Sequence, residues 1–217
     1  MSNEIENETA GAPEPKLAAP GAGIGLGEML YLKLILKPWI MRGLDKKAAM
    51  RSLVAGRDQI LDQIRKFNEN DLTKRVLVKR PYFVEDSSRY WSAAMLCNHL
   101  GKVNGALAKA LENGFTARKG SDYDPQDRLK AVKPEVEKNV TEEIDTFRHS
   151  VERIQGAVNE IADQDLKSRV IPHPWFGNLT HVQWVWFAGF HMRIHARQLE
   201  RISRLGNCQT YVRSLHK

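Results

Sequence analysis

An all-α chain is predicted, with four long amphipathic helices forming a four-helix bundle, a short apolar helix in front of them and a disordered N-terminal tail. Three observations carry that expectation. Four stretches repeat their apolar residues at three- and four-residue spacing, and no stretch of comparable length alternates with a period of two. The intervening stretches are polar or marked by Pro and Gly. The chain has 217 residues, of which 42% are hydrophobic and 27% charged, which suits one core with extensions.

Residues 1–27 are rich in Glu, Pro, Gly and Ala and are expected to be disordered. The glycines of GAGIGLG invite comparison with a phosphate-binding loop. No strand precedes them and no Lys-Ser/Thr follows, so that reading is set aside. Residues 28–44 (EMLYLKLILKPWIMRGL) have a wide apolar arc with Lys33 and Lys37 on one side, and Pro38 is placed to kink or end the segment. It fits an extra helix packed on the bundle, a dimer contact or a membrane-surface anchor. The longest apolar run, 29–41, is too short and too charged to cross a bilayer.

The bundle is expected over residues 45–206. Asp45 is placed to cap a first helix that runs to about Asn68 through Met50, Leu53, Val54, Ile60, Leu61, Ile64 and Phe67, with a weak turn at Gly56 and Arg57. Residues 69–86 have no helical period and are assigned to a loop. Asp86, Ser87 or Ser88 caps the second helix, which carries Trp91, Met95, Leu96, His99, Leu100, Val103, Leu107 and Leu111 on one face and stops near Gly114. Pro134 opens the third helix, whose apolar residues from Val136 to Ile161 show the most regular period in the chain. A connector over 164–179 contains SRVIPHPWFGN. The last helix opens with the capping-box pattern Thr180-x-x-Gln183 and is expected to end at Gly206, before a basic tail over 207–217.

Formal net charge is +7, and residues 1–28 hold five glutamates against one lysine, so the remainder is more basic still. That balance fits nucleic acid, a membrane surface or a small acidic substrate. No nucleic-acid-binding motif accompanies the charge, so nucleic acid is not the expected partner. Two cysteines, Cys97 and Cys208, make no disulfide framework, and the polar, acidic N-terminus is not a secretory leader; a cytoplasmic protein is expected, with peripheral membrane association through 28–44 as a variant.

The chemistry concentrates in three histidines. His191 and His195 lie four residues apart, hence on one face of the last helix and about 6 Å apart in rise. Both occupy positions where core residues belong, on a stripe with Trp184, Ala188 and Gln198. His99 lies eleven residues after Ser88 and fourteen before Asn113; His191 lies eleven after Thr180 and fourteen before Leu205. That matches the three in level whichever way the helices run. Neutral histidines in a core need partners for both ring nitrogens, and three at one level are most simply satisfied by a divalent cation. Three imidazoles without carboxylate or thiolate suit zinc or nickel first, then iron(II) or manganese, with a position left for water or substrate. Gln198, on the same face, is the candidate that orients a ligand from behind. His181 is too far up the helix to share that ion and is read as a surface residue; His149, His173 and His216 are read as structural or solvated. Arg193, Arg197, Arg201 and Arg204 form a stripe on the opposite side of the helix from the histidines, a solvated face or an interface.

WSAAMLCNHL at 91–100 and HPWFGNLTHVQWVWFAGFHMRIHARQLERI at 173–202 resemble the DinB-like superfamily of metal-binding four-helix bundles. The second stretch is similar to that family's His-Pro-x-Phe-Gly lead-in followed by His-x-x-x-His-x-x-Gln, and the resemblance spans residues 48–205. It implies a metal on His99, His191 and His195, zinc or nickel as that metal, frequent homodimers, and reactions such as thiol-dependent S-transfer or isomerisation that use a low-molecular-weight thiol. The resulting expectation is a metal-dependent transferase or hydrolase acting on a small-molecule substrate. The alternative is a non-enzymatic bundle that attaches to a membrane or a protein through residues 28–44 and its basic faces.

Overall fold

The computed structural model describes residues 14–38, 42–113, 130–135, 139–168, 170–173 and 176–214, the side chains of 171 and 207–214 excepted. Among the described residues there are six helices and two two-stranded sheets. Helix α1 (Leu26–Tyr31) leads into a π-helical turn (Leu32–Leu36), then come α2 (Lys46–Ile64), β1 (Val76–Leu77), β2 (Tyr90–Trp91), α3 (Ala93–Glu112), α4 (Val140–Glu160), α5 (Asp163–Ser168), β3 (Val170–His173), β4 (Gly177–Thr180) and α6 (His181–Ser214). The four long helices make the bundle: α2 packs chiefly on α6 and α3 on α4, and α3 also meets α6.

Caps fix where these helices begin. The Asp45 carboxylate accepts from the Ala48 N–H at 2.6 Å, Ser92 Oγ from Met95 at 3.0 Å and Asn139 Oδ1 from Glu142 at 3.2 Å. At α6 the capping box is complete, with Thr180 N donating to Gln183 Oε1 at 2.9 Å and Gln183 N to Thr180 Oγ1 at 3.4 Å. Two starts differ from expectation. Residues Asp86–Ser88 form a single 3-10 turn instead of capping α3, because Tyr90 and Trp91 pair as a strand with Leu77 and Val76 and the helix starts only beyond them. Helix α4 starts at Val140, not at Pro134. Expectations for Trp39, Gly114, Val136, Glu137 and His216 lie outside the described residues, as do residues 1–13 of the acidic segment.

The core is built from the side chains that the helical period places inward: Leu53 and Ile60 of α2, Leu96, Leu100 and Leu111 of α3, Phe147 and Ile154 of α4, and Met192 and Leu199 of α6 are all fully buried. Each contributes roughly 1.5–3 kcal/mol relative to exposure. The weak turn expected at Gly56 is continuous helix. Gly56 and Gly189 instead let the backbones of α2 and α6 touch: a Cβ on Gly56 would lie 2.6 Å from the Gly189 carbonyl oxygen, and one on Gly189 would run into the Ser52 carbonyl. Ser52 Oγ donates to the Trp186 carbonyl at 3.1 Å, and Arg193 Nη1 donates to Ser52 O at 3.1 Å, tying the helices at the same level. The arginine stripe is therefore partly an interface.

The connector over 164–179 is a helix and a hairpin. Strands β3 and β4 pair antiparallel in the register Val170 with Thr180 through His173 with Gly177. Hairpin and α5 pack against α6, and His181 is buried (1% exposed) instead of lying on the surface. Helix α6 also continues through Gly206 to Ser214, past the expected stop.

Residues 14–25 lie against the body. The N–H groups of Gly21 and Gly23, both at positive φ, donate to the two oxygens of Glu85 at 3.2 Å each, Ala18 N donates to Asp86 Oδ2 at 2.9 Å, and Glu14 pairs with Arg75 at 2.8 Å. Glu28 in α1 accepts from Gly25 N at 2.9 Å and Phe83 N at 2.8 Å and pairs with Arg80 at 2.8 Å. Lys37 Nζ donates to the carbonyls of Phe176 at 2.7 Å and Asn178 at 2.8 Å, so the arm also holds the hairpin.

Candidate metal centre

Helix α3 carries His99 and helix α6 carries His191 and His195. One candidate ligand atom from each lies within 4.8 Å of the other two, and among the described residues this is the one group of histidine, cysteine and carboxylate side chains so arranged. His99 and His195 are buried and His191 half-buried. The His191 and His195 rings are edge-to-face with Nε2 atoms 3.0 Å apart, and the His99 ring stands edge-on to both at 5.3 and 5.0 Å between centroids.

The outer nitrogens set the protonation. His99 Nδ1 is 2.6 Å from the Val132 carbonyl oxygen, which can only accept, so Nδ1 carries the proton and Nε2 a lone pair. Gln198 Nε2 donates to the Ser88 carbonyl at 2.6 Å, which leaves its Oε1 to face His195 Nδ1 at 2.9 Å. His195 is therefore also the Nδ1–H tautomer, with its Nε2 lone pair turned to His191. His191 Nδ1 is buried with no hydrogen-bond partner among the described residues. His99 and His195 thus each keep a bare Nε2 lone pair, and His191 has one proton to offer.

Burial suppresses charge at the site. It pulls His99 down to about 4, against the Val132 hydrogen bond, with Lys133 and Lys102 assisting. It pulls His195 to about 3, aided by His99 and opposed by Gln198, and holds His191 well below the ordinary histidine range, helped by the two neighbouring rings. The three are neutral at pH 7, the state in which imidazole coordinates a metal.

Aromatic walls fix the rings. Trp91 lies 5.0 Å from His99 and stacks on His195 at 6.0 Å; Phe187 stacks on His191 at 5.9 Å. Beyond Trp91, Lys133 Nζ sits 5.4 Å over the indole and donates to Ser87 Oγ at 2.6 Å, Ser88 Oγ at 3.1 Å and Glu85 at 3.1 Å. Burial lowers this ammonium's pKa, with Glu85 opposing. Through Glu85 the N-terminal arm is thus connected to the wall of the site.

His173 is brought nearby but not into the cluster. It is buried in a cage of Phe176, Trp184 and Phe187 at 5.0, 5.0 and 4.5 Å, accepts from Phe176 N at Nδ1, and is pushed by burial to about 3. His173 and Phe176 pack on Phe187, the ring that stacks on His191. His149 is exposed on α4. Cys97 is fully buried and burial pushes its thiol up to about 12, so it is no nucleophile. Sequence reasoning missed Trp91 as a ring support, Lys133 and Glu85, and the two carbonyls of Val132 and Ser88. A backbone carbonyl has no residue signature, and Trp91 reads as one more core residue.

A profile of the DinB superfamily matches residues 70–199, which is more than half of the chain. The chain belongs to the DinB superfamily. A solved structure described as TT2238, a four-helix bundle protein, is 20% identical, with 70% of this chain and 94% of that one covered at a TM-score of 0.47. No curated protein matches the chain. The matched span contains all three histidines, Gln198 and Trp91, whereas α1 and the arm precede it. Among the described residues no helix is long and apolar enough to cross a membrane.

Proposed function

We propose that this DinB-superfamily chain is a metal-dependent enzyme in which His99, His191 and His195 hold a divalent transition metal. The observation that carries this reading is the tautomer set by Val132 and Gln198. It leaves His99 and His195 each with a bare Nε2 lone pair, in a cluster whose candidate ligand atoms lie within 4.8 Å of one another, and one proton from His191 cannot satisfy both. A cation there takes up the inward lone pair of each ring, and the all-imidazole donor set fits zinc or nickel first, then iron(II) or manganese.

When bound, such an ion acidifies a coordinated thiol or water and polarises a carbonyl. The chain's own residues do the rest. Gln198 and Val132 hold the rings in the coordinating tautomer, and Trp91 and Phe187 exclude water from two sides. Cys97 is sealed in the core, so it does not supply a thiol to the reaction. The reaction class is transfer to or from a low-molecular-weight thiol, or hydrolysis, of a small substrate.

Protein purified without added metal is expected to contain about one transition-metal ion per chain, by elemental analysis. Chelated protein is expected to recover one ion in competition with a chromophoric chelator, and His191→Ala to bind at least tenfold more weakly. Failure to bind zinc, nickel, iron and manganese after reloading refutes the reading. Unchanged affinity in His191→Ala refutes the ligand set.

A further inference from the structure

Helix α1 and the π-turn after it turn an apolar face to solvent. Leu26 is 72% exposed, Leu30 49%, Tyr31 44%, Leu34 69% and Ile35 57%, while Leu32 alone of this stretch is fully buried. Soluble surfaces scatter such residues singly; five within ten residues on one short helix form a patch. The patch does not end with the helix. Tyr31 stacks on Phe83 at 6.2 Å, and the ring of Tyr82, 72% exposed, lies 6.3 Å from Phe83.

Phe83 is held at φ 65, a left-handed conformation rare for a bulky residue, by its N–H bond to Glu28. The restraint presents Tyr82 outward and fastens the loop to α1. Phe83 also forms one wall of a surface groove with Phe190, Gln59, Gln63, Arg193 and Arg197. The charge along this surface is one-sided. Lys33 is exposed between the apolar side chains, and Arg197 is exposed with no ion pair among the described residues. The acidic groups nearby are already matched, Glu28 by Arg80 and Glu200 by Arg204.

We infer that this face docks on the surface of an anionic phospholipid bilayer, with the apolar side chains of α1 and Tyr82 entering the interface and Lys33 and Arg197 meeting lipid phosphates. Aliphatic residues flanked by tyrosines and cations are the composition that lies in the headgroup boundary, and among the described residues no helix is long and apolar enough to cross it. Charge decides against a second copy. A two-fold contact would bring the same basic patch of both copies, with Lys33 and Arg197, into one interface, on a chain whose net charge is already +7. The apolar patch and the cations supply the two signals that reversible surface binding needs. The inference stands apart from the metal centre, because the face includes none of His99, His191 and His195.

The test is co-sedimentation of the full chain with vesicles of phosphatidylcholine alone and with phosphatidylserine added. Binding is expected only with phosphatidylserine, weakening as salt is raised. The double variant L34E/I35E is expected to lose binding at least tenfold. K33E and R197E are expected to lose about fivefold or more each. All these side chains are exposed, and an unchanged circular-dichroism melt verifies folding. Absence of sedimentation with either vesicle overturns the inference. So does equal, salt-insensitive binding to both, or unchanged binding by L34E/I35E. Sedimentation velocity supplies the last arm: a dimer of the wild type that L34E/I35E converts to monomer assigns the face to self-association and overturns it as well.

Discussion

Replacing Gln198 by leucine separates what holds the histidines from the histidines themselves. The side chain is fully buried and makes two bonds, Oε1 with His195 Nδ1 at 2.9 Å and Nε2 with the Ser88 carbonyl at 2.6 Å. Leucine has similar bulk and neither group, so two buried polar atoms lose their partners. Each loss costs about 1–3 kcal/mol, and the added apolar surface returns part of it, so the metal-free protein is expected to be destabilised by about 2–4 kcal/mol. His195 is also released from the Nδ1–H tautomer, and metal affinity is expected to fall about 10–100-fold. The assay is urea unfolding in the presence of chelator, followed by zinc competition under conditions where both proteins are folded. Gln198→Glu divides the two effects. A carboxylate still accepts from His195 Nδ1–H, but it faces the Ser88 carbonyl without a proton to donate. It is expected to keep most of the metal affinity and to lose stability. A Gln198→Leu protein within about 0.5 kcal/mol of wild type, with unchanged affinity, refutes the role assigned to this residue.

Other perturbations test other joints. Gly189→Ala drives a methyl group into the Ser52 carbonyl and is expected to cost at least about 1–3 kcal/mol in denaturant unfolding, whereas Gly156→Ala, with open space around it, is expected to be neutral or stabilising. Stability of the metal-free protein is expected to fall as pH drops from about 7 to 5. There the unfolded histidines, with ordinary values near 6.5, take up protons that His99 at about 4 and His195 at about 3 refuse. At pH 5 the loss is about 2 kcal/mol per histidine, and urea unfolding that is flat across this range contradicts their neutral burial. Glu85→Gln leaves the Lys133 ammonium without its carboxylate and weakens the acceptor of Gly21 and Gly23. Limited proteolysis is expected to cut within residues 14–25 faster than in wild type, and an unchanged cleavage rate refutes the anchoring role.

The parts of this molecule that were legible in its sequence are those in which side-chain periodicity decides the outcome. The period of α4 and the four-residue spacing of His191 and His195 need only helix geometry. The level-matching of His99 with His191 reached the observed cluster from bounds that the structure revises. Helix α3 begins after Ser92, not Ser88, and α6 runs on past Leu205 to Ser214, so the two histidines are not equally placed within their helices. They meet because both sit on the apolar face where α3 approaches α6. What stayed illegible is set by tertiary contact: the strand pairing that delays α3, the hairpin that buries His181, and the glycine contact that looked like a weak turn.

The same division explains the organisation of the site. The candidate ligand atoms belong to side chains that announce themselves by type, but their orientation belongs to groups that do not. His99 is oriented by a carbonyl at Val132, from the stretch before α4, and His195 by Gln198, itself oriented by a carbonyl at Ser88. Ser88 ends the 3-10 turn whose neighbour Glu85 is held by Gly21 and Gly23 of the arm and by Lys133. Segments outside the four long helices therefore fix the tautomer of His99 directly and that of His195 through Gln198. A bundle with the same three histidines but a different loop at 85–88 would keep the donor atoms and lose the tautomer that presents them. On this reasoning the glycines at 21 and 23 contribute at a distance to the centre, by fixing a carboxylate instead of a phosphate.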